Sequence, residues 1–135
     1  MADTIRLEIV TPQSIVVDED VQHAIAPGTL GQFGVLPGHT TFLSTLDPGS
    51  VNYKDDSGAD RAVFVSGGFA EVLPNKVTVL AESAERRRDI DIDRAKSALA
   101  RARERMADKG GNIDQARAEA AMARALARLK TGGQE

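Results

Sequence analysis

From Ile5 to Val10 the apolar Ile5, Leu7 and Ile9 alternate with the charged Arg6 and Glu8, which places the apolar side chains on one face of a strand. Thr11-Pro12 breaks that strand. Two further runs, 14–17 and 21–26, flank the acidic triplet Asp18-Glu19-Asp20, which reads as a turn, and Pro27-Gly28 closes the second. Strands are then predicted over 33–36, 41–46, 50–54, 62–65, 69–73 and 77–81, each bounded by Gly, Pro, Asn or Asp. Asp55-Asp56-Ser57-Gly58 and Pro74-Asn75-Lys76 read as hairpin connections. Many short strands at close spacing point to an antiparallel β-sandwich or flattened barrel, in which each strand buries one face against a facing sheet. No helical pattern separates the strands, so a parallel α/β fold has no crossovers to use and is excluded.

At Ala84-Glu85-Arg86-Arg87-Arg88-Asp89-Ile90-Asp91-Ile92-Asp93-Arg94-Ala95 the period changes from two to about 3.6. Asp89 or Asp91 can cap the free backbone N–H groups of a first helical turn, and Asp93 suits the positive end of the dipole. Ile92, Ala95, Leu99, Ala102 and Met106 then form one apolar seam. Gly110-Gly111 ends this helix, Asn112 offers the next N-cap with Gln115 as its capping-box partner, and Ala118, Met122, Leu126 and Leu129 form a second seam. The predicted fold is thus β + α: an N-terminal antiparallel β-sandwich over residues 1–85 and a C-terminal two-helix antiparallel hairpin over 86–135. Alanine dominates the second seam, and small side chains bury little area at about 25 cal/mol per Å². The expectation is an arm that stays helical yet can leave its resting place.

Composition narrows this picture further. The chain has 135 residues, enough for one modest β core and an appendage, and no cysteine, so neither disulfides nor thiolate metal sites are available. Its beginning, MADTIRLE, lacks the basic and apolar regions of a signal peptide, and no apolar run approaches spanning length. A cytosolic protein, free or peripheral to something larger, is expected. Charge is unevenly divided: of 17 Lys and Arg and 20 Asp and Glu, the part from Arg86 onward holds 13 and 8, giving +5 there and −8 before it. Such a tail suits an acidic partner, nucleic acid or a membrane, although the interspersed acids fit an ordinary solvated helix surface better than a nucleic-acid patch.

Catalytic candidates are few. His23 and His39 are the two imidazoles, one in a strand pattern and one in a turn, and two isolated histidines do not make a metal site. No Gly-x-Ser-x-Gly elbow is present. The glycines of the 27–39 segment precede more strand pattern, with no Lys-Ser/Thr and no helix N-terminus to receive phosphate; they are turn and bulge residues instead. Arg86-Arg87-Arg88 could touch nucleic acid, but aromatic residues are 4% of the chain and offer few stacking platforms. A noncatalytic protein is expected, with no nucleic acid and no metal. A stand-alone small-ligand-binding sandwich with a helical oligomerisation tail satisfies these constraints.

Five segments in order, from the first strand with Val10-Thr11-Pro12 to the helical hairpin, carry a more specific likeness. The others are Gly31-Gln32-Phe33-Gly34-Val35-Leu36-Pro37-Gly38-His39, Val65-Ser66-Gly67-Gly68-Phe69-Ala70-Glu71-Val72 and Val77-Thr78-Val79-Leu80-Ala81. Together they resemble the epsilon subunit of bacterial rotary ATP synthases, from Ile5 to Leu129. The resemblance implies a noncatalytic, peripheral subunit of a proton-transporting complex on the cytoplasmic face of the inner membrane. It implies contact with the gamma subunit and the ring of c subunits, with no membrane insertion. It also implies a hairpin that can extend toward the alpha and beta subunits and inhibit ATP hydrolysis. By the same resemblance, Gln32, Leu36, Pro37, Gly38 and His39 face the c ring and gamma. Gln32 stands where well-known relatives carry an acid, so a neutral hydrogen bond replaces any ion pair there.

The junction Ile90-Asp91-Ile92-Asp93-Arg94-Ala95 is similar to the Ile/Leu-Asp-x-x-Arg-Ala motif with which some epsilon subunits bind ATP in the folded hairpin. The resemblance extends to Glu85, Arg101, Arg124 and Arg128, so it implies a regulatory ATP site made of Glu85, Ile90, Asp91, Arg94, Ala95, Arg101, Arg124 and Arg128. No cofactor is required by it. Arg94 and Arg101 are seven apart on one helical face, and Arg124 and Arg128 are four apart on another. Converging guanidinium groups would hold a triphosphate, with Glu85 and Asp91 as acceptors. The alternative is a solvated face, or one that contacts acidic partner subunits.

Overall fold

The computed structural model describes residues 3–38, 40–108 and 114–133. Among them nine strands precede two helices: β1 (Ile5–Val10), β2 (Ile15–Ala26), β3 (Phe33–Val35), β4 (Phe42–Leu46), β5 (Gly49–Asp55), β6 (Asp60–Val65), β7 (Gly68–Leu73), β8 (Lys76–Leu80) and β9 (Ala84–Arg86). A 3-10 turn, Arg87–Asp89, leads into α1 (Ile92–Ala107), and α2 (Gln115–Thr131) follows. The strands lie in the order β4-β7-β8-β1-β2-β5-β6-β9, with β3 also on β2. One apolar cluster takes side chains from both halves of that order, Val51, Val63 and Val65 from β5 and β6 with Val72, Val77 and Val79 from β7 and β8. The sheet therefore folds over on itself into the predicted sandwich. Full burial of each such side chain contributes roughly 1.5–3 kcal/mol.

Three departures from the sequence reading have physical causes. All strand pairs are antiparallel except β1 with β8, which run parallel. Most of the sandwich separates these two strands in sequence, so no tight turn dictates their direction. The acidic triplet is not a turn; it lies within the 12-residue strand β2. Arg6 on β1 donates from Nε to Asp18 at 2.8 Å and from Nη1 to Asp20 at 3.2 Å, offsetting the repulsion, while Val17 and Val21 stay in the core. Finally, β9 was not anticipated: Ala84, Glu85 and Arg86 pair with Val65, Phe64 and Val63 of β6, so strand pairing runs one residue beyond Glu85.

The hairpin ends are fixed by side-chain caps. Asp91 accepts from the Arg94 N–H at 3.0 Å and starts α1, one of the two caps expected. At α2 the cap is Asp114, accepting from the Arg117 N–H at 3.1 Å, rather than Asn112; the Gln115 side chain donates to the Asp108 carbonyl instead of closing a capping box. Asn112 and the expected stop at Gly110-Gly111 lie outside the described residues. Between the helices Ala95 and Leu99 pack on Ala125 and Leu129, with Ile92, Ala98 and Met122 at the edges. Leu126, assigned to this seam by its spacing, is 42% exposed, and Ala125 takes its place. The reason is that α2 has two apolar faces, one toward α1 and one, with Ala123, Leu126 and Ala127, toward Pro27 and Pro48 of the sandwich.

Candidate functional site

The hairpin rests on the outside of β5 and β6, and the junction between the two parts holds a cavity of about 340 Å³. Glu85 from β9, Asp89 and Asp91 from the turn, Arg94, Ala95, Ala98 and Arg101 from α1, and Arg128 from α2 line it. Of the eight residues implied by resemblance, six meet here. The other two do not line the wall. Ile90 is buried behind it, and Arg124 sits one helical turn before Arg128, half-buried on α2. Asp89 and Ala98 were missed as wall residues. Ala98 is four after Arg94 and so shares its helical face, a spacing signal that was present.

The guanidinium groups of this cavity differ in state. Arg128 is held on two sides: Nε donates to both carboxylate oxygens of Glu85 at 3.2 and 3.1 Å, Nη2 lies 3.1 Å from Oε2, and the group sits 4.4 Å from the centroid of the Phe64 ring. Among the described residues Arg94 and Arg101 have no ion pair, and both are exposed. With Glu85 neutralised by Arg128, the cavity offers two uncommitted cations on α1 beside Asp89 and Asp91. At 1.5 Å rise per residue these two are about 10 Å apart along the helix, a spacing that suits an extended polyanion more than a single small anion.

A second, larger hollow of about 460 Å³ on the other side of β9 is lined by Tyr53, Asp60, Arg61, Ala62, Arg86, Arg87, Arg88 and Gly132. Its cations are mostly committed. Arg61 pairs with Asp55 at 3.1 Å, and Arg86 donates to the Val16 carbonyl at 3.1 Å and lies 4.0 Å from Glu19. Arg87 packs against Gly133 at the C-terminal end of α2, where a cation is favoured. Burial, with Glu19 adding to it, pushes the Tyr53 phenol above its ordinary range. The described residues contain no cluster of three or more His, Cys, Asp or Glu arranged for a metal, and no helix long and apolar enough to cross a membrane.

The loops around β3 carry the other residues singled out in the sequence. Gln32 and Leu36 are exposed, Pro37 is half-buried, and Gly38 adopts φ +80° while its N–H donates to the Pro74 carbonyl at 2.7 Å. His39 lies outside the described residues. Leu30, missed earlier, is fully exposed in the same region. A second apolar feature was also missed: Phe69, Leu80, Val10 and Ile15 are successive cross-strand partners over β7, β8, β1 and β2. Phe69, Leu80 and Ile15 are each more than half exposed. Contiguous exposed apolar side chains of this kind are common at interaction surfaces.

Comparison with known proteins gives a consistent result. Residues 4–87 match the family described as ATP synthase, Delta/Epsilon chain, beta-sandwich domain, and residues 88–133 match its long alpha-helix domain. An ATP synthase epsilon chain from Desulfatibacillum aliphaticivorans is 63% identical over 109 residues, 81% of this chain and 77% of the relative. One from Pelotomaculum thermopropionicum is 55% identical over 131 residues, 97% of each chain. A chain in the Euglena gracilis mitochondrial ATP synthase structure of OSCP, F1 and c-ring superposes with a TM-score of 0.84 at 23% identity, covering 97% of this chain and 82% of that one. At that identity the likeness is one of fold.

Proposed function

The chain belongs to the ATP synthase epsilon-chain family, and from that premise we propose that it is the noncatalytic subunit that couples gamma to the c ring and restrains ATP hydrolysis through its hairpin. Family membership displaces the stand-alone ligand-binding sandwich and the nucleic-acid module. The row Phe69, Leu80, Val10 and Ile15 suits burial against gamma. The exposed loop residues Leu30, Gln32 and Leu36, with Pro37, Gly38 and His39, suit the c ring, Gln32 through a neutral hydrogen bond. In this reading the subunit sits peripherally at the cytoplasmic face of the membrane in a proton-transporting complex. Co-purification with gamma and the c ring tests it, and a chain recovered without either partner sinks it.

The observation that carries the regulatory part is the junction cavity, because its walls come from β9, the turn, α1 and α2 and meet only while the hairpin is docked. A ligand shifts a conformational equilibrium only through unequal affinity for the two states. ATP bound here holds the hairpin down and relieves inhibition. Arg94 and Arg101 carry the triphosphate, while Arg128, fixed by Glu85 through Nε and Nη2, keeps Nη1 for it. Asp89 and Asp91 remain as acceptors near the base. Calorimetric titration of the isolated subunit is the test, with Arg94→Ala expected to weaken binding by about 1.5–3 kcal/mol, the range of a charge-assisted contact. Absence of heat at millimolar ATP removes nucleotide sensing and leaves the hairpin to respond to rotation or proton-motive force alone.

In the extended state the positive tail seeks acidic surfaces of the alpha and beta subunits. Arg128 is engaged in the docked state as well, so Arg117 and Arg124 are the residues to neutralise. Hydrolysis by the reconstituted complex should then be inhibited less, and unchanged inhibition counts against the electrostatic part.

A further inference from the structure

We propose that Phe64 is the positioning residue on which the hairpin docks: its ring, on the outside of the sandwich, seats the Arg128 guanidinium and holds α2 down without any nucleotide. The proposal rests on the hairpin being a detachable arm, but it invokes no ATP binding.

The argument begins with strand alternation. Successive side chains of β6 point to opposite faces, so Val63 and Val65, both in the sandwich core, put Phe64 on the outer face. An outward phenylalanine on a two-layer sandwich should be largely solvated, yet Phe64 is fully buried. What covers it is α2, which packs over β5 and β6 and lays Arg128 4.4 Å from the ring centroid. That distance lies within the roughly 6 Å range of a cation–π contact.

The neighbours of Phe64 complete the seat. Glu85 is its direct partner across β6 and β9, and both Glu85 carboxylate oxygens accept from Arg128 Nε, with Nη2 of the same guanidinium 3.1 Å from Oε2. Ser50, its partner on β5, is small and leaves the ring face open to the helix. Arg128 is thus held over an aromatic ring by an acid that engages it with both oxygens, both side chains about a quarter exposed. Geometry of this kind fixes the planar guanidinium in a way a lysine could not match. The α1–α2 contacts, in contrast, hold the two helices to each other and provide no reason for the hairpin to lie down. Removing the ring should release α2 from the sheet while leaving the sandwich interior untouched, since the Phe64 side chain is not part of it.

Amide hydrogen exchange of the full chain without nucleotide tests this, using Phe64→Ala, Phe64→Leu and Phe64→Tyr. In Phe64→Ala the α2 amides should exchange at least tenfold faster while those of β1, β2 and β8 keep their rates. Phe64→Leu restores apolar volume but no aromatic face and should also lose protection, whereas Phe64→Tyr keeps the face and should restore it. Unchanged α2 protection in Phe64→Ala overturns the proposal, as does Phe64→Leu behaving like the unaltered chain. Loss of sandwich protection alongside α2 in Phe64→Ala also overturns it, by making the ring a core residue. The two readings separate cleanly. A chain that binds no ATP but frees α2 in Phe64→Ala keeps the anchor and loses the nucleotide site. A chain that binds ATP with α2 protection unchanged in Phe64→Ala does the reverse.

Discussion

The sandwich and the hairpin are held together by different quantities of the same interaction. In the sandwich Ile5, Leu7, Ile9, Val17, Val21, Val63 and Val77 are almost wholly excluded from water, and they come from strands far apart in the chain. The hairpin's own core is Ala95, Leu99, Ala125 and Leu129, so two of its four residues bury only a methyl group. Buried area scales with the hydrophobic contribution, and most helical stability in proteins comes from packing of an apolar face against other elements. The first region therefore supports itself, whereas the second depends on what it lies against. Caps at Asp91 and Asp114 keep the helices formed, but attachment rests on contacts such as Arg128 with Phe64 and Glu85. The proposed division of labour, in which one part grips and the other moves, needs this inequality.

The inequality is broken most severely from the sandwich side. Leu7→Ala removes a fully buried side chain and should cost about 2–5 kcal/mol, taking the hairpin with it because its docking surface dissolves. Leu99→Ala, in the hairpin seam, should cost about 2 kcal/mol of hairpin stability and leave the sandwich's urea midpoint in place. Equal shifts of both regions in Leu99→Ala would make the chain one cooperative unit. A chain ending after Asp89 should fold and still join the complex, while inhibition of hydrolysis disappears. Ending at Glu85 instead removes Arg86 from β9 and its bond to the Val16 carbonyl, at an expected further cost of about 1 kcal/mol. Unfolded protein from the longer form would refute the separation.

A finer test acts at the far end of α2. Gly132 lies so close to the start of α1 that an added Cβ would be 2.5 Å from Ile92 Cδ1. Its φ of −75° suits any residue, so the effect of Gly132→Ala is purely steric. The expected loss is about 1–3 kcal/mol, the usual range for overpacking, confined to the last turn of α2 and visible as faster exchange there. Adding Ile92→Ala should recover part of it. No recovery would mean that the two residues are not in contact in solution.

How far all this could be read from residues alone depends on whether the signal is local. Alternation at Ile5, Leu7 and Ile9, the turn at Asp55 to Gly58 and the cap at Asp91 are set within a few residues, and each was legible. The acidic triplet misled because its neutralising partner, Arg6, is on another strand. The three-residue β9 hid in a charged stretch because its pairing with β6 is a long-range fact. Leu126 was given to the wrong face since spacing cannot say that α2 has two partners. In the cavity, the family resemblance marked Arg94, Ala95 and Arg101 and helical periodicity put Arg94 and Arg101 on one face, but Ala98 was missed and the clamp of Arg128 by Glu85 and Phe64 required knowing where α2 lies. Arg124, equal to Arg128 by spacing, is separated from it by that placement alone.

The smallest expected effect lies in the sandwich, at the β5–β6 turn, and it is a pH dependence that the hairpin should not share. Asp55 accepts hydrogen bonds from the Ser57 hydroxyl at 2.6 Å, the Ser57 N–H at 3.0 Å and the Ala59 N–H at 2.9 Å, and its other oxygen takes Arg61 Nε at 3.1 Å. These bonds, the Ser57 hydroxyl first, hold its carboxyl down at about 2, against an ordinary 3.8. A carboxyl whose folded value is depressed binds fewer protons folded than unfolded, so its contribution is complete above about pH 4 and fades as pH falls toward 2. Asp55→Asn cannot titrate. Its urea midpoint should start below that of the unaltered chain at neutral pH, and the gap should close between pH 4 and 2. Exchange rates of α2 should show no such convergence, because the bonds to Asp55 all come from residues 57 to 61 and none from the hairpin. A gap that stays constant with pH would mean that the ionised form of Asp55 adds nothing to the turn beyond what a neutral amide supplies.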